Sequence, residues 1–341
     1  MNRYNELKHI LQERCYFKVV CGAGNEDPEE VFKLAMVYTL AGANGIDVSA
    51  NIDVVKSCMA GIDKAFELAP LLGREIKDRP FINVSVGLKG DPHVRKATIY
   101  QEQCTQCGLC QKACEQEAIT ENFIVLEYRC IGCGICAKVC PSEAIGFYHK
   151  KIDFNETLPG CLAAGAENLE LHAIIDDDEA VIEDWKLINR LVPDNFISMC
   201  LDRSQLSNRH LIQRIKDVYD ITGNRTIIQA DGDPMSGGSD NFNTTLQAIA
   251  IADIVQKSKI PVMLLGSGGT NSKTAELARL CNVGLNGVSL GTYARRIVGP
   301  VISRDNFEDD ISLIKEAVYI AEGLVEINLK FMKDQYDQDS N

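Results

Sequence analysis

Short apolar runs recur along the chain, each closed by Gly, Asp, Asn or Ser. They alternate with longer stretches whose apolar residues return every three or four positions. The first pattern is that of buried strands and the second that of amphipathic helices. Leu7, Ile10 and Leu11 predict a leading helix over residues 4–14, placed to cover one end of the fold. Strands are predicted at 17–21, 45–49 and 81–86, with helices over 27–43 and 51–72 between them. The first of these helices opens on Asp27-Pro28-Glu29-Glu30: a cap, a proline at the first position and acids in the first turn. Between residues 87 and 155 the rhythm breaks. It resumes with strands at 169–174, 196–201, 226–231, 261–265 and 287–290. Helices are predicted over 177–191, 204–219, 243–256 and 273–280, and a closing helix over 306–326.

Three strands precede the break and five come after it. Three βα units make a poor domain, whereas eight close a (β/α)8 barrel. The expected fold is therefore α/β, a TIM-like barrel with a module inserted after strand three; an open doubly wound sheet carrying the same insertion is the alternative. Residues 1–90 would form the leading helix and three βα units, 91–155 the module, and 156–341 the other five units. An insertion in a βα loop leaves from the face where barrels place their chemistry.

The break contains eight of the chain's 14 cysteines. They form two runs, Cys104-x-x-Cys107-x-x-Cys110-x-x-x-Cys114 and Cys130-x-x-Cys133-x-x-Cys136-x-x-x-Cys140-Pro141. Each is the bacterial run that holds [4Fe–4S] clusters, in which the fourth cysteine ligates the other cluster. Cys104, Cys107, Cys110 and Cys140 are thus expected on one cube, and Cys130, Cys133, Cys136 and Cys114 on the other. The repeat extends past the ligands, since Glu117-Ala118-Ile119 returns as Glu143-Ala144-Ile145. Gly108, Gly132 and Gly134 would let backbone N–H groups approach the sulfurs. Zinc sites favour two separated Cys-x-x-Cys pairs, and disulfide frameworks belong to small secreted chains, so both fit less well. The first run departs from the usual pattern at Cys114-Glu115, where Cys-Pro is the rule; a rigid turn is lost but no ligand.

Composition narrows the setting. A formal charge of −13 argues against a nucleic-acid partner. There is no apolar stretch long enough for a membrane span, and residues 1–14 do not read as a signal peptide. The remaining cysteines, Cys15, Cys21, Cys58, Cys161, Cys200 and Cys281, are expected to be buried free thiols of a cytoplasmic protein.

Two loops at the expected mouth suit an anion. Gly266-Ser267-Gly268-Gly269-Thr270-Asn271 comes after strand seven, and Gly291-Thr292-Tyr293-Ala294-Arg295-Arg296 after strand eight. Such loops form the usual phosphate site of these barrels, which makes Gly266, Gly268, Gly269, Thr270, Gly291 and Thr292 the candidate binding residues for FMN or a phosphorylated ligand. Tight turns would explain them equally well. The loop 229–238 is long and polar, and Asp231 stands at its strand's end. Asp47, Asn51, Asn83, Glu170, His172 and Asp202 lie near other strand ends. Glu170 and His172 share one strand face and would make an acid/base pair if it points inward. Lys18, at the start of strand one, is expected at the opposite, stabilising end. Arg95 and Lys96, on the segment joining barrel to module, would bind an anion, pair with cluster charge or mark a surface hinge.

Several strings taken together resemble the light-dependent period protein family of cyanobacteria. They are Val20-Cys21-Gly22-Ala23, Gly45-Ile46-Asp47-Val48, Asp91-Pro92-His93 with Arg95-Lys96-Ala97, Asp231-Gly232 with Pro234-Met235-Ser236-Gly237, Gly268-Gly269-Thr270-Asn271 and Tyr293-Ala294-Arg295-Arg296. The resemblance covers nearly the whole chain. It implies iron–sulfur clusters and a role in reporting redox state to the circadian clock, and it carries over no catalytic residues. Two functions are expected: a redox sensor or electron relay read by a partner protein, or an oxidoreductase whose clusters feed electrons to a flavin or phosphorylated substrate, a small anionic ligand, bound by the loops after strands seven and eight.

Overall fold

The computed structural model of the chain describes residues 2–22, 24–87, 94–150, 152–232 and 238–339. The expected Asp91-Pro92-His93 and Pro234-Met235-Ser236-Gly237 strings, and Ala23, lie outside them.

Eight parallel strands close into a barrel: β1 (Tyr16–Val20), β2 (Gly45–Ser49), β3 (Phe81–Gly87), β6 (Asn168–His172), β7 (Ile197–Leu201), β8 (Thr226–Asp231), β9 (Met263–Ser267) and β10 (Gly287–Leu290), the last pairing back to β1. The helices lie outside: α2 (Pro28–Leu40), α3 (Ile52–Leu68), α6 (Phe154–Ala163), α7 (Asp178–Leu191), α8 (Asn208–Thr222), α9 (Phe242–Ser258), α10 (Thr274–Leu280), α11 (Thr292–Ile302) and α12 (Ile311–Asp339). Alternation along the strands explains the layering. Phe17, Val19, Ile46, Val48, Val84, Leu169, Leu171, Met199, Ile228 and Leu290 face the helices and join one core. The residues between them, Lys18, Asp47, Asn83, Ser85, Glu170, Ser198 and Gln229, fill the barrel and are buried too. Period-two side chains thus separate an apolar outside from a polar inside.

The leading helix, α1 (Arg3–Gln12), plugs the N-terminal end. Leu7, Ile10 and Leu11 pack there on Tyr16, Phe81, Phe196, Ile227 and Leu265. Each such aliphatic side chain is worth about 1.5–3 kcal/mol on burial. Arg3 lies 3.6 Å from the Phe81 ring centroid and pairs with Glu167, and Tyr4 stacks on Phe196.

The module occupies the third βα connection. It is pinned at its base by an antiparallel ribbon, β4 (Arg95–Ile99) with β5 (Ile145–His149), in register Arg95↔His149 to Ile99↔Ile145. The ribbon and α6 are elements that periodicity does not reveal: each strand is five residues long, and α6 holds only two fully buried side chains, Leu158 and Cys161. Other corrections concern edges. Residues Thr292–Ile302 form a helix rather than an open loop, and α12 starts at Ile311. The helix expected from Ser204 starts at Asn208, because Ser204 bonds the Asp202 carboxylate through both its N–H and its hydroxyl. Of the six further cysteines, Cys281 is exposed, and Cys15 is only half-buried, against the cluster under α1; neither is the fully buried thiol expected.

Candidate functional site: two cysteine cavities above a barrel mouth

The two halves of the module repeat in backbone detail. Positive φ angles occur at Gln106 and Gly132, at Gly108 and Gly134, and at Glu117 and Glu143, each pair 26 residues apart. Gly108 and Gly134 cap the short helices α4 (Leu109–Ala113) and α5 (Ile135–Lys138) in the left-handed conformation, which glycine adopts at little cost. The N–H of Ala118 donates to Cys114 Sγ and that of Ala144 to Cys140 Sγ, both at 3.3 Å.

The cysteines gather around two cavities. Cys104, Cys107 and Cys110 share one with Cys140. Cys130, Cys133 and Cys136 share the other with Cys114. This is the crossed grouping that the spacing predicts, and four thiols around one space is the donor set a cubane needs. Apolar side chains complete both cavities: Ile99, Phe123 and Ile145 in the first, Ile119, Val125 and Phe147 in the second. Burial raises the Cys136 thiol to about 11. A thiol in such surroundings gives up its proton to a metal, not to water.

The second cavity adjoins the barrel mouth. Ile131, between Cys130 and Gly132, lines both it and a mouth cavity of about 90 Å³. Below Ile131 the mouth is walled by Asp47, Glu170, His172, Cys200, Asp231, Ser267, Ser289 and Arg295 and by the backbone of the two glycine loops. Lys96 fastens the roof. Its buried ammonium donates to the carbonyl oxygens of Gly24 at 2.6 Å, Glu127 at 2.8 Å and Cys130 at 2.9 Å, so the β1 loop and the cysteine loop share one cation. Arg95 donates from Nε to Gly132 O at 2.8 Å and stacks on Phe147. The segment's cations therefore hold the cysteine loop and do not form a surface hinge. Glu26 pairs with Lys150, and Asp27 with Arg129, across the same junction.

The floor is a charged network. Lys18 Nζ lies 2.5 Å from Glu170 Oε2 and 3.9 Å from Asp47 Oδ1. This corrects the expectation for Lys18. It starts β1, but its side chain runs inside the barrel and joins the floor. Asn83 Nδ2 and Ser198 Oγ donate to the same Glu170 oxygen, each at 3.1 Å. Burial alone would raise the Glu170 pKa, but Lys18 and His172 hold it far below the usual carboxylate range. Asp47 is different: burial lifts it to about 6 despite Lys18. Glu170 and His172 do face inward together, with Oε1 3.2 Å from Nε2.

The glycine loops are brought to the mouth in part. Gly268, Gly269, Thr270, Gly291 and Thr292 line the cavity. Gly266 does not. It lies within β9, and a Cβ there would point at Leu285 and Thr274, toward the helical layer. Gly268 has φ of 62°, and a Cβ on it would collide with the Asp231 carboxylate. The Thr270 hydroxyl is committed to Ser289 O at 2.7 Å, and Asn271 ties Ser239 and Asn241 to the loop. At the mouth, Arg295 Nε and Ser289 Oγ are buried without a hydrogen-bond partner and are open to a ligand. α11 also begins at the mouth with no side-chain cap. Asn51 caps α3 instead of facing the cavity. Sequence reading missed Cys200 and Ser289. Period-two alternation from Glu170 and Asp231 would have pointed Ser289 and Cys200 inward, had the strand registers been known.

Residues 162–327 match the family model for the light dependent period A C-terminal domain. Residues 97–120 and 123–146 each match a 4Fe-4S binding domain. Light dependent period A of Synechococcus elongatus is 32% identical over 269 residues, covering 77% of this chain and 73% of that protein. Among solved structures, a putative fructose-1,6-biphosphate aldolase from Coccidioides immitis has a TM-score of 0.47 at 9% identity, covering 99% of this chain and 98% of that one. The YdjI aldolase from Escherichia coli K12 has a TM-score of 0.45 at 8% identity, covering 96% and 93%.

Proposed function

The chain belongs to the light dependent period A family of iron–sulfur proteins, and we propose that it relays electrons, or registers redox state, through two [4Fe–4S] clusters of which the second lies over the barrel mouth. Cys104, Cys107, Cys110 and Cys140 would hold one cluster, and Cys130, Cys133, Cys136 and Cys114 the other. The observation that carries the reading is the single-residue wall formed by Ile131, which faces the second cysteine cavity on one side and the mouth on the other. The clusters supply one-electron chemistry. The chain contributes N–H donors to sulfur, apolar walls that limit water, and two cations, Arg95 and Lys96, on the cysteine loop. A redox partner protein would exchange electrons at the first cluster, whose Cys107 is exposed. Anaerobic potentiometric titration monitored by electron paramagnetic resonance tests this: two reversible one-electron signals are expected. Clusters that cannot be reduced reversibly would leave only a structural role.

A second reading, an oxidoreductase acting on a small anion, is supported by the open donors at the mouth, Arg295 Nε and Ser289 Oγ. At about 90 Å³ the cavity lies below the roughly 300–1,000 Å³ of pockets for drug-sized ligands. That favours a small carboxylate or phosphate over a whole FMN. Mass spectrometry of small molecules released from anaerobically purified protein separates the two readings. A bound anion lost in Arg295→Met would support the oxidoreductase, and an empty mouth the relay.

A further inference from the structure

A thiol, an imidazole and a carboxylate converge at the mouth floor outside the cysteine module. A carboxylate oxygen of Glu170, a ring nitrogen of His172 and Cys200 Sγ lie within 4.8 Å of one another, and all three residues are buried. Glu170 is the central residue of β6 and His172 its last. Cys200 is paired with His172 in the parallel register of β7. Asp231, at the end of β8, brings Oδ2 to 3.2 Å from Cys200 Sγ. All four line the mouth cavity.

The surroundings orient this set. Lys18, Asn83 and Ser198 all bind Oε2 of Glu170. That fixes the carboxylate and turns its other oxygen, Oε1, to His172 Nε2 at 3.2 Å. Ligand atoms about 2.0–2.1 Å from a tetrahedral ion stand roughly 3.3 Å apart, so the pair already has the spacing of one tetrahedral edge. Carboxylates held by outer hydrogen bonds are typical of built metal sites.

From this convergence we propose that the barrel mouth binds one borderline divalent ion of the Zn²⁺ or Fe²⁺ class, through Glu170, His172 and Cys200 with Asp231 as a further oxygen donor. One thiolate, one imidazole and carboxylate oxygen select such an ion over Mg²⁺ or Ca²⁺, which take oxygen sets. On binding, the Cys200 S–H bond breaks, its proton leaves to solvent, and the thiolate electron pair goes to the metal. Asp231 Oδ2 gives up its bond from that thiol and turns to the ion. A position left open toward the cavity faces Arg295 and Ser289, which suits a small anionic ligand.

The test uses the full chain, purified anaerobically with both clusters intact by iron and sulfide content. The protein is passed over a chelating resin and then titrated with Zn²⁺. One equivalent should bind with no loss of iron. Zinc K-edge X-ray absorption should show a single sulfur at about 2.3 Å with nitrogen and oxygen at about 2.0–2.1 Å. Cys200→Ser should remove the sulfur contribution, and His172→Gln should weaken binding at least tenfold. Zinc that does not bind the cluster-loaded chain overturns the proposal. So does zinc in a four-sulfur shell, which would be zinc in a cluster site. Folded variants that bind zinc as the wild type does overturn it as well. If either variant misfolds, the wild-type absorption spectrum decides alone.

Discussion

Replacing Lys96 with Met removes the cation shared by the cysteine loop and the barrel. The side chain is 2% exposed. Its loss deprives the carbonyls of Gly24, Glu127 and Cys130 of a donor at 2.6–2.9 Å. Glu26, at 3.5 Å, keeps Lys150. Breaking one partner out of a buried charged cluster costs about 3–5 kcal/mol. Burial lowers the Lys96 pKa in spite of Glu26, so part of the native charge is held against solvation, and the low end of that range, about 3 kcal/mol, is the expected loss. The redox effect is more diagnostic. A reduced cluster carries one more negative charge, which a nearby ammonium stabilises. At an effective dielectric of about 20, unit charges interact by about 4 kcal/mol at ~4 Å, and at about twice that separation the interaction is ~2 kcal/mol. For a one-electron couple that is a negative shift on the order of 50–100 mV at the second cluster. The first cluster, held by the other cysteine set, should move far less. The assay is potentiometric titration of Lys96→Met and Lys96→Arg with resonance detection of each cluster, beside thermal unfolding. Lys96→Arg keeps the charge and should hold the potential near wild type. A folded Lys96→Met protein with both potentials unchanged, or with the second shifted upward, would refute the electrostatic role.

Cys107→Ala should abolish or convert the cluster of the first run and spare the other, read as a fall in iron and loss of one resonance signal; a normal iron count would sink the ligand assignment. Asp47 has a folded pKa raised from 3.8 to about 6, so its ionisation destabilises the fold. Its stability contribution is whole at low pH and is lost as pH rises through about 6. Asp47→Asn, whose amide oxygen can still accept from Ser85, should gain up to about 3 kcal/mol over wild type at pH 8 in urea unfolding, and about half that at pH 5. An equal difference at both pH values would contradict the assignment. Gln106 adopts φ of 54° where the second half has Gly132; Gln106→Gly should relieve about 1 kcal/mol of left-handed strain, measured by chemical denaturation of the cluster-loaded protein. A destabilised Gln106→Gly protein would show that the glutamine side chain does more than the backbone costs.

Much of this protein is written in local spacing. The cysteine runs carry their own grouping, because three ligands at x-x intervals and a fourth on a short helix are constrained over a dozen residues. Eight strand-like runs and their helices announce a closed barrel, and Leu7, Ile10 and Leu11 announce the plug. Only the tertiary structure decided how parallel strands align, since that register comes from closure of the barrel and not from neighbours in sequence. The register set His172 beside Cys200, turned Cys200 from an ordinary buried thiol into part of the mouth, and carried Lys18 from the start of β1 into the floor. It also moved Gly266 out of the loop and into β9. Lys96 shows the same division. Its place in a charged joining segment was legible, but its three carbonyl partners lie 31 to 72 residues away in sequence. Long-range burial alone could bring them to one ammonium.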